Sequence, residues 1–251
     1  MSAAGEDRER GPALLKVGSL CAWYGAAQIL FGIDLEVRPG EVVGLMGRNG
    51  AGKSTTLKAI MGLVPRRRGR IVFREQDYSA SAPHRIARAG VAYVPEDRRI
   101  FTDLTVGENL EVGRRRPRRD AGPAASAGTT ASAIAVAFPR LAALRDRLGG
   151  QLSGGEQQML AVARSLMAEP ELILMDEPSE GVAPLVVDAM VRMIAELKSR
   201  GIAVLLSEQN IHLARQVCDR LYPIDKGEVG ASVTAASLGN DLQAWFRLVE
   251  R

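Results

Sequence analysis

Gly47-Arg48-Asn49-Gly50-Ala51-Gly52-Lys53-Ser54-Thr55 decides how this chain folds. The stretch fits the P-loop pattern: a glycine, four residues, then Gly52-Lys53-Ser54. Before it, Glu41-Val-Val-Gly-Leu-Met46 reads as a buried strand, apolar and bounded by Pro39-Gly40. After it, residues 54–61 read as the start of a helix. Strand, glycine loop and helix are the context that the motif needs. Such a loop turns its backbone N–H groups inward as a nest for phosphate oxygens, and the helix N-terminus adds partial positive charge. Lys53 is placed to reach the β- and γ-phosphates, and the Ser54 hydroxyl to ligate Mg²⁺. A glycine-rich turn with a chance lysine is the plain alternative; the flanking strand and helix argue against it.

The chain has 251 residues, 46% of them hydrophobic and 25% charged. That is a soluble globular composition, long enough for a large core with one or two subdomains. No apolar run approaches the roughly 20 residues that span a bilayer. Residues 1–12 are small and charged and read as a flexible tail without a signal core. Cys21 and Cys218 form no spaced motif, so reduced thiols are expected rather than a metal site. A net charge of +4 permits contact with acidic partners or an anionic membrane surface without requiring it.

Read in order, residues 14–20 and 33–37 look like strands, which places an antiparallel β layer beside the nucleotide fold. A short strand follows at 69–73, a helix at 83–89 with Pro83 in its first turn, and a buried strand at 91–94. The texture then changes. Residues 104–112 look helical, with Thr105 as cap and Glu108 three residues on. Residues 113–130 read as a flexible surface loop, and residues 134–148 resume helical spacing, interrupted at Pro139. Further on come a helix at 156–168, a strand at 171–175, a helix at 185–198, a strand at 202–206, a helix at 211–217 and a strand at 221–224. This alternation indicates a parallel sheet covered on both faces. The fold class is therefore α/β, a P-loop NTPase core with an antiparallel β subdomain. The expected division is a tail (1–12), a core (13–95 and 169–251) and an inserted helical subdomain (96–168).

Two more motifs carry chemistry. Leu172-Ile-Leu-Met-Asp176-Glu177-Pro178 is an apolar strand ending in two acids, where ligands of parallel sheets bind. Asp176 suits Mg²⁺ opposite Ser54, and Glu177 suits polarising a water that attacks the γ-phosphate. Leu152-Ser153-Gly154-Gly155-Glu156-Gln157 precedes an amphipathic helix. Ser153 and Glu156 make a capping box, and that alone explains them; yet two glycines beside a serine at a helix start also make a second phosphate site.

The order of P-loop, helical insert, Leu-Ser-Gly-Gly-Glu-Gln and Asp-Glu-Pro resembles the ATPase subunits of ATP-binding cassette (ABC) transporters over roughly residues 14–230. The resemblance implies ATP and Mg²⁺ as ligands and a head-to-tail dimer. In it, residues 47–55 of one chain and Ser153, Gly154 and Gly155 of the other enclose each ATP. It also implies Tyr24 as the ring that stacks on adenine, Glu177 and Lys53 as catalytic groups, and integral-membrane permeases as partners. Two positions depart from the general pattern. Glu96 follows the strand 91–94 where most cassettes have a glutamine that contacts Mg²⁺, and Gln209 follows the strand 202–206 where most have a histidine on the γ-phosphate. A carboxylate at 96 still suits Mg²⁺; glutamine donates a hydrogen bond but carries no charge. His212 falls on the next helix and reads as a surface or packing residue.

These departures, with Glu-Pro-Ser-Glu-Gly-Val-Ala-Pro at 177–184 and Ser-Glu-Gln-Asn at 207–210, resemble one branch: the second ATPase of branched-chain amino acid importers. That branch implies a second cassette ATPase in a homo- or heterodimer, an external or periplasmic solute-binding protein, and a peripheral place on the cytoplasmic face of the membrane. The arginine runs at 66–68 and 114–119 read as solvated loops, with lipid contact as the sharper reading. No aromatic residue interleaves with them in sequence, so nucleic acid is not expected. The rivals are a soluble cassette ATPase acting on nucleic acid or ribosomes, a weakly hydrolysing regulatory clamp, and an exporter.

Overall fold

A computed structural model describes residues 11–114, 138–182 and 184–237. Two sheets organise them. The first is antiparallel: β1 (Leu15–Tyr24), β2 (Ala27–Val37), β4 (Arg66–Phe73) and β5 (Gln76–Asp77), in the order β2-β1-β4-β5. The second is built on five parallel strands: β3 (Val42–Met46), β6 (Val91–Val94), β7 (Leu172–Asp176), β8 (Ala203–Glu208) and β9 (Arg220–Asp225). Their order is β9-β3-β8-β7-β6, with β10 (Glu228–Val229) and β11 (Val233–Thr234) added antiparallel to β9.

Every residue of β3, β7 and β8 is buried, as continuous apolar runs of a doubly covered parallel sheet require. The period of two in each strand divides them between two cores. Val43, Leu45, Leu174 and Leu205 face one way, into a cluster with α1 (Lys53–Ile60) and the antiparallel sheet. Val42, Met46, Met175 and Leu206 face the other way, towards three helices: α5 (Gly154–Leu166), α6 (Pro184–Ser199) and α7 (Ile211–Val217). The parallel strands thus end their carboxyl termini, at Met46, Asp176 and Glu208, along one edge between the two cores.

Helices α2 (Pro83–Ala89) and α3 (Val106–Gly113) take their expected places, α3 behind a complete Thr105–Glu108 capping box. Three expectations change. The strand expected at 14–20 runs on through Trp23 and Tyr24, which pair with Gln28 and Ala27 across the turn at Gly25. Arg66, Arg67 and Arg68, expected in a loop, open β4 and pair with Trp23, Ala22 and Cys21. Nothing β-branched marks them; cross-strand pairing holds them, with the Arg66 guanidinium 4.9 Å over the Trp23 ring and Arg67 donating to Ser81 O at 2.7 Å. The helix expected at 134–148 is described only from 138 and is short: α4 (Pro139–Ala143), with Pro139 opening it rather than interrupting it. The chain after Ala143 is occupied elsewhere, since Arg145 O and Arg147 O accept from Gly107 and Val106 N–H at 2.9 Å each. The tail and the loop expected at 113–130 fall almost wholly outside the described residues.

Asn109, fully buried on α3, fastens the turn before that helix. Its Oδ1 accepts from Phe101 N–H at 2.9 Å, and its Nδ2 donates to the carbonyls of Phe101, Leu104 and Thr105 at 2.9, 3.2 and 3.0 Å. Asn109→Leu strands those backbone groups and is predicted to lower stability by about 2–3 kcal/mol. Urea unfolding measures this; an unchanged midpoint would show that the turn holds without the amide.

Candidate nucleotide site

The P-loop leaves β3 at Met46 and enters α1 at Lys53. Two glycines in it have no substitute. Gly52, with φ 110°, starts the helix from a left-handed conformation, and a Cβ on Gly47 would lie 2.3 Å from the carbonyl oxygen of Ile224. Arg48, Asn49 and Gly50 are exposed at the tip, Ala51 is buried, and Ser54 and Thr55 are half-buried. Lys53 is only 3% exposed. Its Nζ donates to Gly47 O and Arg48 O at 2.9 and 3.0 Å and pairs with Glu177 Oε1 at 3.0 Å.

Asp176 closes β7 facing this lysine helix. Its Oδ1 accepts from Ser54 Oγ at 2.8 Å and from Ser207 Oγ at 2.7 Å, and its Oδ2 accepts from Tyr93 OH at 2.9 Å. The expected Ser54–Asp176 pair is therefore in direct contact. Ser207 and Tyr93 are functional neighbours that sequence reasoning missed. Ser207 stands inside the quoted Ser-Glu-Gln-Asn run, and Tyr93 is the lone hydroxyl in the apolar run 91–94. Burial, then the Asp176 charge, drives the Tyr93 hydroxyl well above the usual tyrosine range, so it stays a donor. Glu208 was also missed. Buried at the end of β8, its carboxylate accepts the N–H groups of Ser179, Gln209 and Asn210 at 3.1, 3.0 and 2.9 Å. It thereby fixes both loops that carry Glu177's neighbours.

Glu177 has φ 42°, an uncommon value for a side-chain-bearing residue, and its N–H donates to Ser207 O at 3.0 Å. Gln209 joins it to the P-loop: Nε2 donates to Glu177 Oε2 at 2.9 Å and to Asn49 Oδ1 at 2.7 Å. Burial pushes the Glu177 carboxyl up, but hydrogen bonds with Glu180, Gln209 and Lys53, and the Lys53 charge, hold it below the usual glutamate range. The proton sits on the exposed partner. The hydrogen bond to Glu177, then burial, then the charges of Glu177 and Glu96, push Glu180 up from 4.5 to about 7. A carboxyl raised in the fold adds stability below its ordinary value and loses it as pH rises towards the folded one. The melting temperature contributed by Glu180 is thus predicted to fall between pH 4.5 and 7, and Glu180→Gln, which keeps a donor, to flatten that slope. Thermal melts of both proteins at pH 5 and pH 8 check it; parallel slopes would count against the shared proton.

The remaining expected residues are placed less centrally. Glu96 lies exposed beyond β6, near enough to raise Glu180 but without a hydrogen bond to Ser54 or Asp176. Among the described residues no three acidic, histidine or cysteine side chains gather closely enough to hold a metal by themselves. Tyr24 ends β1 at 46% exposure, a free ring rather than a core one. His212 is exposed on α7. Ser153 caps α5, with its N–H and hydroxyl on Glu156 Oε2 at 2.9 and 2.7 Å. A Cβ on Gly155 would lie 2.5 Å from Val186, so close packing of α5 on α6 also demands that glycine. No hydrogen bond or ion pair joins residues 153–155 to the P-loop of the same chain among the described residues.

A buried lysine in a glycine loop, a hydroxyl and a carboxylate in contact beside it, and a glutamate on that lysine define a nucleoside triphosphate hydrolase of the P-loop class. Its family follows from comparison: the model for ABC transporters matches residues 30–180, and the chain belongs to that family as an ATPase subunit. It is 37% identical over 225 residues to the high-affinity branched-chain amino acid transport ATP-binding protein BraG of Pseudomonas aeruginosa, covering 90% of this chain and 94% of that one. It is 36% identical over 231 residues to the lipopolysaccharide export system ATP-binding protein LptB of Haemophilus influenzae, covering 92% and 95%. Among solved structures, the ATP-binding subunit of an ABC transporter superposes with a TM-score of 0.75 at 30% identity, covering 94% of each chain.

Proposed function

We propose that this chain is the ATP-hydrolysing subunit of an importer for branched-chain or related amino acids. In this reading it sits on integral-membrane permeases at the cytoplasmic face and closes on a second cassette ATPase, a copy of this chain or a related subunit. Among the described residues no helix is long and apolar enough to cross a membrane, and in this reading the permeases supply the path. The observation that carries the importer reading is Gln209, bonded to both Asn49 and Glu177 where most cassettes have histidine. Together with Glu96 it resembles the importer branch, and the similarity to BraG supports the reading.

The chemistry proposed is attack of water on the γ-phosphate. Residues 47–55 cradle the phosphates, and Lys53 exchanges its carbonyl partners for β- and γ-phosphate oxygens. Glu177 orients and polarises the water, held in place by Gln209. Ser54 and Asp176 form an all-oxygen donor set that suits Mg²⁺ once phosphate oxygens and waters complete it, and Mg²⁺ would neutralise phosphate charge there. Tyr24 offers adenine a ring, and Ser153, Gly154 and Gly155 of the partner cover the nucleotide. In this reading α3, α4 and α5 belong to the helical subdomain that carries this cover.

Lipopolysaccharide export is the second reading, supported by the 36% identity to LptB. Affinity purification from native membranes in mild detergent, followed by mass spectrometry, separates the two. Amino-acid permeases with a second cassette ATPase are the expected companions. Lipopolysaccharide-exporting permeases would replace the importer reading, and ribosomal or DNA-bound companions would leave only the ATP site.

A further inference from the structure

Beyond β6 the backbone turns through two consecutive side-chain-bearing residues in the left-handed region, Arg98 at φ 60° and Arg99 at φ 47°. Such a pair is strained and persists only where its surroundings over-determine it. Arg98 N–H donates to Pro95 O at 3.1 Å. Arg164, on α5, donates from Nη2 to Arg99 O at 2.7 Å, and its guanidinium lies 5.2 Å from the Phe101 ring centre.

What this strained turn achieves is the placement of the Arg98 side chain. Its Nη1 lies 3.0 Å, and its Cζ and Nη2 3.6 Å, from where a Cβ on Gly154 would stand. The guanidinium therefore lies against the glycine beside Ser153. It is half-buried, and among the described residues no carboxylate pairs with it. The nearest acid on α5, Glu156, is spent on the Ser153 cap and feels Arg140 and Arg147 instead. A half-buried cation with no carboxylate partner among the described residues, held beside the positive end of a helix, is suited to an arriving anion. On the other side of the nucleotide, Gln209 leaves the γ-phosphate without the charge that a histidine could bring.

We infer that Arg98 acts across the dimer as a cation on the γ-phosphate of the ATP held by the partner's P-loop, beside Ser153 and Gly154. The inference rests on the head-to-tail dimer of the proposed function, formed by two copies of this chain. Arginines supplied to phosphoryl transfer from a second chain are worth about 10³–10⁵ in rate elsewhere. Here the partner's Lys53 shares the load, so Arg98→Ala is expected to lower turnover about 100-fold. Arg98→Lys recovers part of it, keeping charge but losing the planar fork.

Two measurements test it. In a Glu177→Gln background, ATP-driven dimerisation is followed by analytical ultracentrifugation. Adding Arg98→Ala is expected to raise the ATP needed for half-dimerisation at least about tenfold. Binding of a fluorescent ATP analogue to dilute monomer should stay within about twofold. Then two inactive proteins are mixed: Lys53→Met with Arg98 intact, and Arg98→Ala with Lys53 intact. Only a mixed dimer joins an intact P-loop to an intact Arg98 from the other chain, so hydrolysis is expected to reappear. A Glu177→Gln parent that stays monomeric at saturating ATP sinks the dimer reading and Arg98 with it. A parent that dimerises, with Arg98→Ala dimerising equally or the mixture staying inactive, overturns Arg98 alone.

Discussion

Glu177→Gln leaves ATP affinity within about twofold of wild type and lowers turnover by about 10²–10³-fold, the range lost when a positioned base is removed. The expectation follows from where the carboxylate stands. It leaves β7 at φ 42°, 7% exposed, with one oxygen on Lys53 and the other on Gln209. The strained backbone aims the side chain at Lys53 of the P-loop, and the hydrogen bonds keep the carboxyl below the usual glutamate range. An amide fills the same space and still meets Lys53 through its oxygen. It cannot take a proton from water, and its NH₂ opposes the Gln209 donor. Binding therefore survives and chemistry does not, a pattern that lowers kcat without raising KM. Steady-state ATPase assays and nucleotide titration check it, and wild-type turnover in the variant would sink the assignment of Glu177.

How far these roles could be read from sequence depends on whether they are local. The P-loop, the Asp176-Glu177 pair and the Ser153 cap are contiguous motifs, and each keeps its own backbone geometry wherever it occurs. The parallel strands were legible for a related reason: runs such as Leu172–Asp176 are apolar throughout because both faces are covered. What escaped is non-local. Tyr93 reaches Asp176 across 83 positions and Ser207 across 31, and neither hydroxyl differs in sequence from one that faces water. Nothing in the run from serine to glutamine marks Glu208 as buried, yet it is, because three N–H groups converge on it. Arg66 to Arg68 misled in the other direction: their composition reads as loop, and only the register with β1 makes them strand.

Lys53→Met abolishes measurable nucleotide affinity and, separately, destabilises the protein by about 3–5 kcal/mol, the cost of breaking one side of a buried ion pair. The side chains of Lys53 and Glu177 are 2% and 7% exposed, so water cannot replace the lost partner. The carboxylate left behind has Gln209 as a donor but no cation. Glu177→Gln placed on top of Lys53→Met removes the uncompensated charge. The double variant is therefore expected to be more stable than Lys53→Met alone, with a coupling energy of at least about 1 kcal/mol in the double-mutant cycle. The pH dependence should invert as well. In the wild type the Glu177 carboxyl is held low, so its contribution is present above the ordinary glutamate value and is lost as pH falls. Without Lys53, burial dominates and the folded protein prefers the protonated acid. Stability then falls as pH rises past that value. Urea unfolding at pH 5 and pH 8 of the wild type, both single variants and the double variant supplies all the terms. If the destabilisation of the double variant equals the sum of those of the two single variants, the pair contributes no coupling, and Lys53 serves the phosphates alone.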